Sequence, residues 1–275
     1  MAKRIAGTTA LLLAIVLLVA AGLWIHNRFR YKMFHSLAPT AEATDRQRNM
    51  ENNRQVLNRW AAEGRDPMNL FKSMSLLPTM ADLGLKDGDV IADIGAGTGA
   101  FEIRLLRGQV DVAKIYAVDT DALSLEFLRA TLDAFTLPGE DRVHLVHSRP
   151  EDVMLPENQI DVVTVINCRL GIRDLEKPLP QKDLEERNRL YQSIYRALKK
   201  EGHVTMVEPV REASFKTYPV EYLTAPFFAN GFCLESHRID TKLYPQYYYF
   251  PIRYHVMRFR RHDAPNLAED AVCGS

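Results

Sequence analysis

Glycines cluster at one point of the chain, where an apolar run ends and an amphipathic run begins. Gly95, Gly97 and Gly99 alternate with small residues directly after the apolar residues 90–94. Glycine has no Cβ, so it permits a tight turn and lets a ligand approach the backbone closely. The amphipathic run that follows has helical spacing, and the first amide groups of such a helix would point towards the same place. The pattern predicts a strand, a ligand-binding turn and a helix, in that order.

Strands and helices are predicted to alternate from residue 85 onwards. Apolar runs of strand length occupy residues 90–94, 114–118, 142–147, 160–166 and 203–207. Helical spacing occupies a stretch from about residue 100, residues 122–135 and residues 183–199, with Gly202 as the expected stop of the last helix.

The last two predicted strands, at residues 232–240 and 247–256, are joined by a short turn and should therefore be antiparallel. The whole pattern predicts an α/β fold with a mostly parallel sheet, flanked by helices and closed by this C-terminal antiparallel hairpin. In such sheets, ligands bind beyond the carboxyl ends of the strands.

Two aspartates stand beside the glycine turn. Asp119 ends the second predicted strand, where its carboxylate can accept hydrogen bonds from the hydroxyl groups of a ribose. Asp93 lies two residues before Gly95, where its carboxylate suits an ammonium group and would repel a pyrophosphate. Together these features predict nucleoside binding. The glycine spacing also fits the dinucleotide fingerprint, so an NAD(P)-binding oxidoreductase stays open as an alternative at this point.

Four stretches of the chain form an ordered set of motifs. They are residues 83–99 (LGLKDGDVIADIGAGTG), 116–119 (YAVD), 160–163 (IDVV) and 198–204 (LKKEGHV). This set resembles the motifs of the class I, Rossmann-like S-adenosylmethionine-dependent methyltransferases, and the similarity covers roughly residues 75–256. The resemblance implies a seven-stranded sheet. It also implies S-adenosyl-L-methionine as the cofactor, lying over the glycine turn with its ribose on Asp119.

The chain departs from the family's pattern at the adenine contact and, as described below, after the fourth strand. Where members commonly have a Gly-Asp pair that contacts adenine, this chain has Ser148 and Arg149, and an arginine cannot accept a hydrogen bond from the adenine amino group. Arg149 could stack on the ring instead, and Glu151 could replace the missing acceptor. The predicted cofactor-binding residues are therefore Asp93, Gly95, Ala96, Gly97, Gly99, Asp119, Thr120, Arg149, Glu151 and Asn167.

Asn167 and Glu208 are the predicted catalytic residues, at the ends of the fourth and fifth strands. Methyl transfer requires alignment of the acceptor with the methyl group, and then removal of a proton if the acceptor has one. Asn167 could orient the acceptor, and Glu208 could act as the base, although a salt bridge or a helix cap would equally explain Glu208. Many small-molecule members of the family carry two histidines after the fourth strand. This chain has Asn167 and Cys168 there, and Cys168 is best interpreted as a small buried hydrophobic residue.

Residues 5–25 contain no charged side chain. As a helix they would rise about 31 Å, close to the thickness of the hydrocarbon core of a bilayer. Trp24, Arg28 and Arg30 resemble an interfacial anchor, so we predict a single transmembrane helix within residues 1–25. The alternative is a cleaved signal peptide, because small residues precede Gly22 at plausible cleavage spacing. Basic residues are slightly more numerous after the segment, which favours a catalytic domain facing the cytosol.

The other boundaries follow from composition and spacing. Residues 26–45 are predicted to be a juxtamembrane linker, 46–84 an N-terminal helical cap, 85–261 the methyltransferase domain and 262–275 a flexible tail.

Charge and cysteine content limit the partners of the chain. Its formal net charge is zero, from 35 basic and 35 acidic side chains, so no nucleic-acid partner is expected. The three cysteines, Cys168, Cys233 and Cys273, are scattered and predict neither a metal site nor a disulfide framework. Free cysteines would agree with a reducing compartment.

The predicted function is a membrane-anchored methyltransferase whose acceptor is a small molecule, a lipid-like compound or a protein. A domain that binds S-adenosylmethionine without catalysis and serves as a membrane assembly factor is a second alternative, beside the oxidoreductase.

Overall fold

The computed structural model describes residues 43–71, 80–108, 110–168, 170, 179–210, 220–242, 252–262 and 273. The predicted anchor at residues 1–25, most of the predicted linker and residues 263–272 of the predicted tail lie outside the described residues. Within the described ranges, no helix combines the length and the apolar character that a membrane span needs. The chain divides into two compact units, Met1–Val56 and Leu57–Ser275. All the strands belong to the second unit.

Seven strands form one sheet in the order β3-β2-β1-β4-β5-β7-β6. The strands are β1 (Val90–Ile94), β2 (Lys114–Asp119), β3 (Val143–His147), β4 (Ile160–Ile166), β5 (Leu198–Val210), β6 (Phe232–Lys242) and β7 (Ile252–Arg261). The helices are α1 (Ala43–Ala62), α2 (Met68–Phe71), α3 (Met80–Leu83), α4 (Ala100–Leu106), α5 (Ala122–Phe135), α6 (Gln181–Ala197) and α7 (Val220–Phe228), with a 3₁₀ turn at Glu140–Arg142.

Strands β1 to β5 pair in parallel, and β7 is antiparallel to both of its neighbours. The predicted α/β fold, with a mostly parallel seven-stranded sheet and a C-terminal antiparallel strand pair, is therefore confirmed. The chain runs outwards from β1 to β3 and then returns to place β4 on the other side of β1. This reversal of strand order opens a crevice beyond the carboxyl ends of β1 and β4, as in other doubly wound sheets.

The sheet is apolar because helices cover it. In β1 and β4, Ile91 and Val163 are fully buried, as the nearly continuous apolar runs of these strands predict. On one face, an aromatic cluster joins the helices to β7, with Tyr191 of α6 edge-on to Phe227 of α7 and Phe227 stacked on Phe259 at 4.0 Å between ring centroids. This cluster gives the C-terminal half of the sheet a rigid base.

Helix α6 ends earlier than its spacing predicts. The helix stops at Ala197, and Leu198 already pairs with Ile160 as the start of β5. Gly202 is therefore not a helix stop, and that prediction is wrong. A Cβ at Gly202 would lie 2.9 Å from the carbonyl oxygen of Ile160, so this glycine allows β5 to approach β4 closely. Strand pairing across the sheet overrides the local helical pattern.

Cys233 and Cys273 form a disulfide, with their Cα atoms 5.2 Å apart. The Cys273 amide also donates a hydrogen bond to the carbonyl oxygen of Leu234, at 3.1 Å, so Cys273 lies against β6. The prediction of unpaired cysteines is wrong for this pair, because the two residues are 40 positions apart and only the fold brings them together. Cys168 is a free thiol. The cysteines thus give no support to a reducing compartment.

Loss of this disulfide should destabilise the domain. We expect the double variant Cys233→Ser, Cys273→Ser to lose about 2–4 kcal/mol of unfolding free energy, since the bond closes a long loop. Denaturant unfolding without reductant measures the change. A reducing agent should bring the wild-type chain to the stability of the variant and leave the variant unaffected. Identical wild-type curves with and without reductant would contradict the assignment.

Candidate active site

A cleft of about 560 Å³ lies at the carboxyl ends of β1, β2 and β4. Its size suits one small molecule, and it occupies the crevice where the strand order reverses. Five of the predicted cofactor-binding residues line it, namely Gly95, Asp119, Thr120, Arg149 and Asn167. Val153, Leu170 and Leu190 add an apolar wall that the motifs alone did not predict.

The glycine turn between β1 and α4 is as tight as the sequence predicts. Gly95, Gly97 and Gly99 have φ angles of 82°, 56° and 90°, in the left-handed region that favours glycine. A Cβ on Gly95 would lie 2.4 Å from the sulfur atom of Cys168. The turn and the loop after β4 are therefore in direct contact, and a side chain at Gly95 would push them apart.

Asp119 is held by backbone groups on both sides. Its Oδ2 accepts a hydrogen bond from the Gly97 amide, and its Oδ1 accepts one from the Asp121 amide, both at 2.8 Å. The amides of Gly95 and Ala96 donate in turn to the carbonyl oxygen of Val118. The end of β2 and the glycine turn thus form one bonded unit. Each carboxylate oxygen keeps a further lone pair with which to accept a ligand hydroxyl.

Asp93 lies behind the turn and is almost fully buried, at 3% exposure. The Thr164 hydroxyl donates a hydrogen bond to Asp93 Oδ1 at 2.6 Å. The carboxyl group of Glu102, in α4, is completely buried and makes a hydrogen bond with that of Asp93. Two carboxyl groups can bond to each other only when one of them is protonated.

Burial is the main cause of the unusual acidity of this pair. It raises the pKa of Asp93 to about 7, against the lowering effect of the hydrogen bonds from Thr164 and Glu102. It also raises the pKa of Glu102 well above its usual range, and the charge of Asp93 adds to this effect. Apart from the carboxyl group of Asp93, neither Glu102 oxygen has a hydrogen-bonding partner in the described part of the chain. The pair is therefore suited to a cation that would replace the shared proton.

Sequence reasoning did not identify Glu102. A glutamate in the first turn of a helix is ordinary, because it interacts favourably with the helix dipole. The signal that could have found it is Leu105, which lies three residues later on the same helix face and is buried in α4. A carboxylate inside an apolar stripe needs a partner.

The loop after β4 turns sharply at Asn167. This residue has a φ of 52°, a conformation that asparagine adopts more readily than most residues. Its backbone N–H donates a hydrogen bond to the carbonyl oxygen of Val207 at 2.8 Å. Cys168 follows, and burial raises the pKa of its thiol to about 12. The thiol is therefore protonated at neutral pH, in agreement with its interpretation as a small apolar residue.

Glu208 lies one residue beyond Val207 on β5 and is buried, at 6% exposure. It lies two residues beyond Met206, which belongs to the same buried cluster as Tyr191, a cluster against which Cys168 packs, so the Glu208 side chain faces that side of the sheet. This is the side on which Cys168 lines the cleft. The structure therefore places both predicted catalytic residues on one side of the sheet, next to each other at the ends of β4 and β5.

The remaining predicted residues do not all reach the cleft. Arg149 lines it and belongs to a turn in which its amide donates to the carbonyl oxygen of Asp152 at 3.0 Å. Among the described residues, Ala96, Gly99 and Glu151 are not part of the cleft wall. Ala96 and Gly99 shape the turn, and Glu151 lies within the Arg149–Asp152 turn.

A family profile described as a methyltransferase domain matches residues 91–202, which span β1 to the start of β5. The chain contains a class I, S-adenosylmethionine-dependent methyltransferase domain. The predicted family is thereby confirmed. Neither the oxidoreductase nor the assembly factor gains support from the comparisons.

The chain is similar to two curated methyltransferases. It is 31% identical to a tRNA1(Val) (adenine(37)-N6)-methyltransferase of Dyadobacter fermentans over 153 residues, which cover 54% of this chain and 61% of the relative. It is 28% identical to a ubiquinone/menaquinone biosynthesis C-methyltransferase of Vibrio parahaemolyticus over 138 residues, 49% of this chain and 48% of the relative. The chain thus spans less than two thirds of the length of either relative.

A crystal structure of an S-adenosylmethionine-dependent methyltransferase from Methanosarcina mazei has the same fold. It superposes with a TM-score of 0.50 at 13% identity, covering 68% of this chain and 98% of the other.

The buried carboxyl pair should make the stability of the ligand-free chain depend on pH. The pKa of Asp93 is about 7 in the folded state and 3.8 ordinarily, so the folded chain keeps a proton that the unfolded chain has released. The resulting stability is present below about pH 4 and is lost as the pH rises through about 7. We expect Glu102→Gln to reduce this loss by about 1–3 kcal/mol, measured by denaturant unfolding between about pH 5 and 8.

Glu185→Gln, at an exposed position of α6, is the matched control and should leave the pH dependence unchanged. Parallel stability curves for Glu102→Gln and the wild-type chain would contradict the shared proton.

Proposed function

We propose that this protein transfers a methyl group from S-adenosylmethionine to an acceptor bound beside Asn167 and Glu208. The observation that carries the proposal is the bonded unit of Asp119 and the glycine turn, which forms one wall of the cleft. When bound, the cofactor supplies a methyl group on a positively charged sulfur, which becomes neutral when the methyl group leaves.

The residues present fit this cofactor. Asp119 would accept hydrogen bonds from the ribose hydroxyls, because its oxygens are held in place by backbone amides and keep free lone pairs. The buried pair of Asp93 and Glu102 would attract the ammonium group of the methionine part, which would displace the shared proton. Arg149 would stack on adenine, with Thr120 and Glu151 as polar neighbours.

On the acceptor side, Asn167 would orient the acceptor, and Glu208 would place a negative charge near the acceptor's proton. The apolar wall of Val153, Leu170 and Leu190 favours an acceptor with a hydrophobic part.

A lipid-like acceptor agrees with the predicted N-terminal anchor. A domain tethered at residues 1–25 would share the bilayer with its substrate and meet it at a high local concentration. The similar protein of Vibrio parahaemolyticus is named for ubiquinone and menaquinone biosynthesis, and quinones are membrane lipids. We therefore propose that the acceptor is a membrane-bound, lipid-like molecule rather than a side chain of a membrane protein. The zero net charge of the chain does not favour a nucleic acid.

Calorimetry with S-adenosylmethionine on the full chain tests the cofactor site. We expect micromolar binding to the wild-type chain and a loss of at least about 100-fold in Asp119→Ala, since two charge-assisted hydrogen bonds disappear. Asp133→Ala, on α5 and away from the cleft wall, is the matched control. Binding of NADH in place of S-adenosylmethionine would overturn the cofactor assignment.

Transfer of a labelled methyl group into a membrane extract tests the activity. Label is expected in the lipid fraction with the wild-type chain and not with Asp119→Ala. Cofactor binding without any incorporation would favour the non-catalytic alternative, and label in the protein fraction would replace the lipid with a protein acceptor.

The side of the membrane on which the domain lies is tested by labelling its exposed lysines from outside the cell. The basic flank after residue 25 supports a cytosolic domain, whereas the Cys233–Cys273 disulfide is typical of an oxidising compartment. We propose the cytosolic orientation, in which a reagent that does not cross membranes leaves the domain unlabelled in intact cells. Proteolysis of the domain by a protease added outside sealed cells would reverse the assignment.

A further inference from the structure

Two histidines extend the acceptor side of the site across the sheet. His255 on β7 pairs with Glu208 on β5 and with Ile239 on β6. Directly opposed residues of antiparallel strands project to the same face, with Cβ atoms about 5 Å apart. His237 lies two residues before Ile239 and thus on that face too. The two rings are in contact, with His237 Nε2 3.0 Å from His255 Nδ1.

This face is the one that forms the acceptor side. Met206 and Met257, two residues away from Glu208 and His255 on their strands, belong to the same buried cluster as Leu170 and Leu190, which line the cleft. The negative charge of Glu208 helps to raise the pKa of the Cys168 thiol, and Cys168 is another residue of the cleft wall. A row of polar groups therefore leads away from the cleft, from Cys168 through Glu208 and His255 to His237.

The surroundings of His255 keep its ring neutral. The side chain is buried, at 8% exposure, whereas His237 is exposed. Burial is the main cause that lowers the pKa of His255, and the neighbouring His237 and Arg253 contribute in the same direction. The charged and titratable groups that face it are thus Glu208 of β5, His237 of β6 and Arg253 of its own strand. A neutral imidazole at physiological pH is able to accept a proton.

The hydrogen bond between the two rings can run in either direction, and one of the two directions suits a base. When Nδ1 of His255 carries the hydrogen and donates it to His237, the lone pair of His255 lies on Nε2. A histidine base is held in one tautomer and orientation by a hydrogen-bonded neighbour in this same way.

We propose that His255 is the general base that takes the proton of the methyl acceptor, with His237 and Glu208 as positioning residues. The inference rests on the proposed methyl transfer and supplies the histidine that is missing after β4. It applies to an acceptor whose nucleophilic atom bears a proton, such as a phenolic hydroxyl. That atom bonds to the methyl carbon, the carbon–sulfur bond breaks with its electron pair left on sulfur, and the acceptor proton moves to Nε2 of His255.

An exposed neighbour gives the transferred proton a route to solvent. His237 is exposed, so the proton can return to solvent through it.

The test compares His255→Gln with His144→Gln, a histidine of β3 on the other side of the sheet order, in the full chain. The probe is labelled methyl transfer from S-adenosylmethionine into a membrane lipid extract. General base catalysis contributes about 10²–10⁴-fold, so His255→Gln should lose that much rate and His144→Gln none. Cofactor affinity by calorimetry should stay within about twofold in both variants, because His255 lies away from the glycine turn.

The pH profile separates a base from a structural residue. The wild-type rate should fall as the pH drops below the lowered pKa of His255, and His237→Gln and Glu208→Gln should move this acid limb. In His255→Ala, added imidazole should restore part of the rate. Burial lowers the pKa of both His203 and His255, so proton NMR of the cofactor-free chain should show two histidines that titrate below the ordinary range, and one of these signals should disappear in His255→Gln.

The outcomes are distinguishable. Full rate and an unchanged acid limb in His255→Gln would overturn the inference and leave the proposed function standing. An inactive wild-type chain that still binds the cofactor would overturn both. Loss of cofactor binding in His255→Gln would mark His255 as structural, and failure of imidazole rescue in a folded His255→Ala would count against a base.

Discussion

The carboxylate of Asp119 and the backbone of the glycine turn hold each other in place. The Gly97 and Asp121 amides converge on this one side chain, and the amides of Gly95 and Ala96 converge on the carbonyl oxygen beside it. Charge-assisted bonds from backbone donors are strong and need no side-chain ordering on the donor side. The shape of the cleft therefore depends on β1 and β2 being parallel neighbours with their carboxyl ends level. The rest of the site is arranged around this unit.

Acidic groups dominate the surroundings of the cleft. Asp119 lies in its wall, the pair of Asp93 and Glu102 lies behind the turn, and Glu208 lies on the acceptor side. Burying the carboxyl groups of Asp93 and Glu102 beside each other is unfavourable for stability, as the raised pKa of Asp93 reflects. The arrangement is understandable if the usual occupant of the cleft is positively charged, because a cation would then compensate for buried negative charge. Perturbed acids of this kind are typical of functional sites.

The two halves of the sheet have different roles in the proposed site. The strands β1 and β2 form the half with the glycine turn, and β4, β5 and β7 form the half where an acceptor would lie. The antiparallel insertion of β7 between β5 and β6 matters here, since it brings His255 next to Glu208 at the same edge of the sheet. A strand parallel to β5 in this place would begin at the opposite edge of the sheet, and its first residues would then lie away from Glu208. The C-terminal strand pair thus completes the site as well as the sheet.

Local patterns along the chain determined the fold class and the core of the site. Strand and helix spacing, the glycine turn and Asp119 were all predictable, because each depends on residues close in sequence. Only the tertiary structure decided which distant residues meet: Cys233 with Cys273, Asp93 with Glu102, and Glu208 with His255. It also ended α6 at Ala197, where pairing with β4 outweighs helical spacing. Periodicity records which face of an element is buried, whereas strand order and register decide which partner covers it.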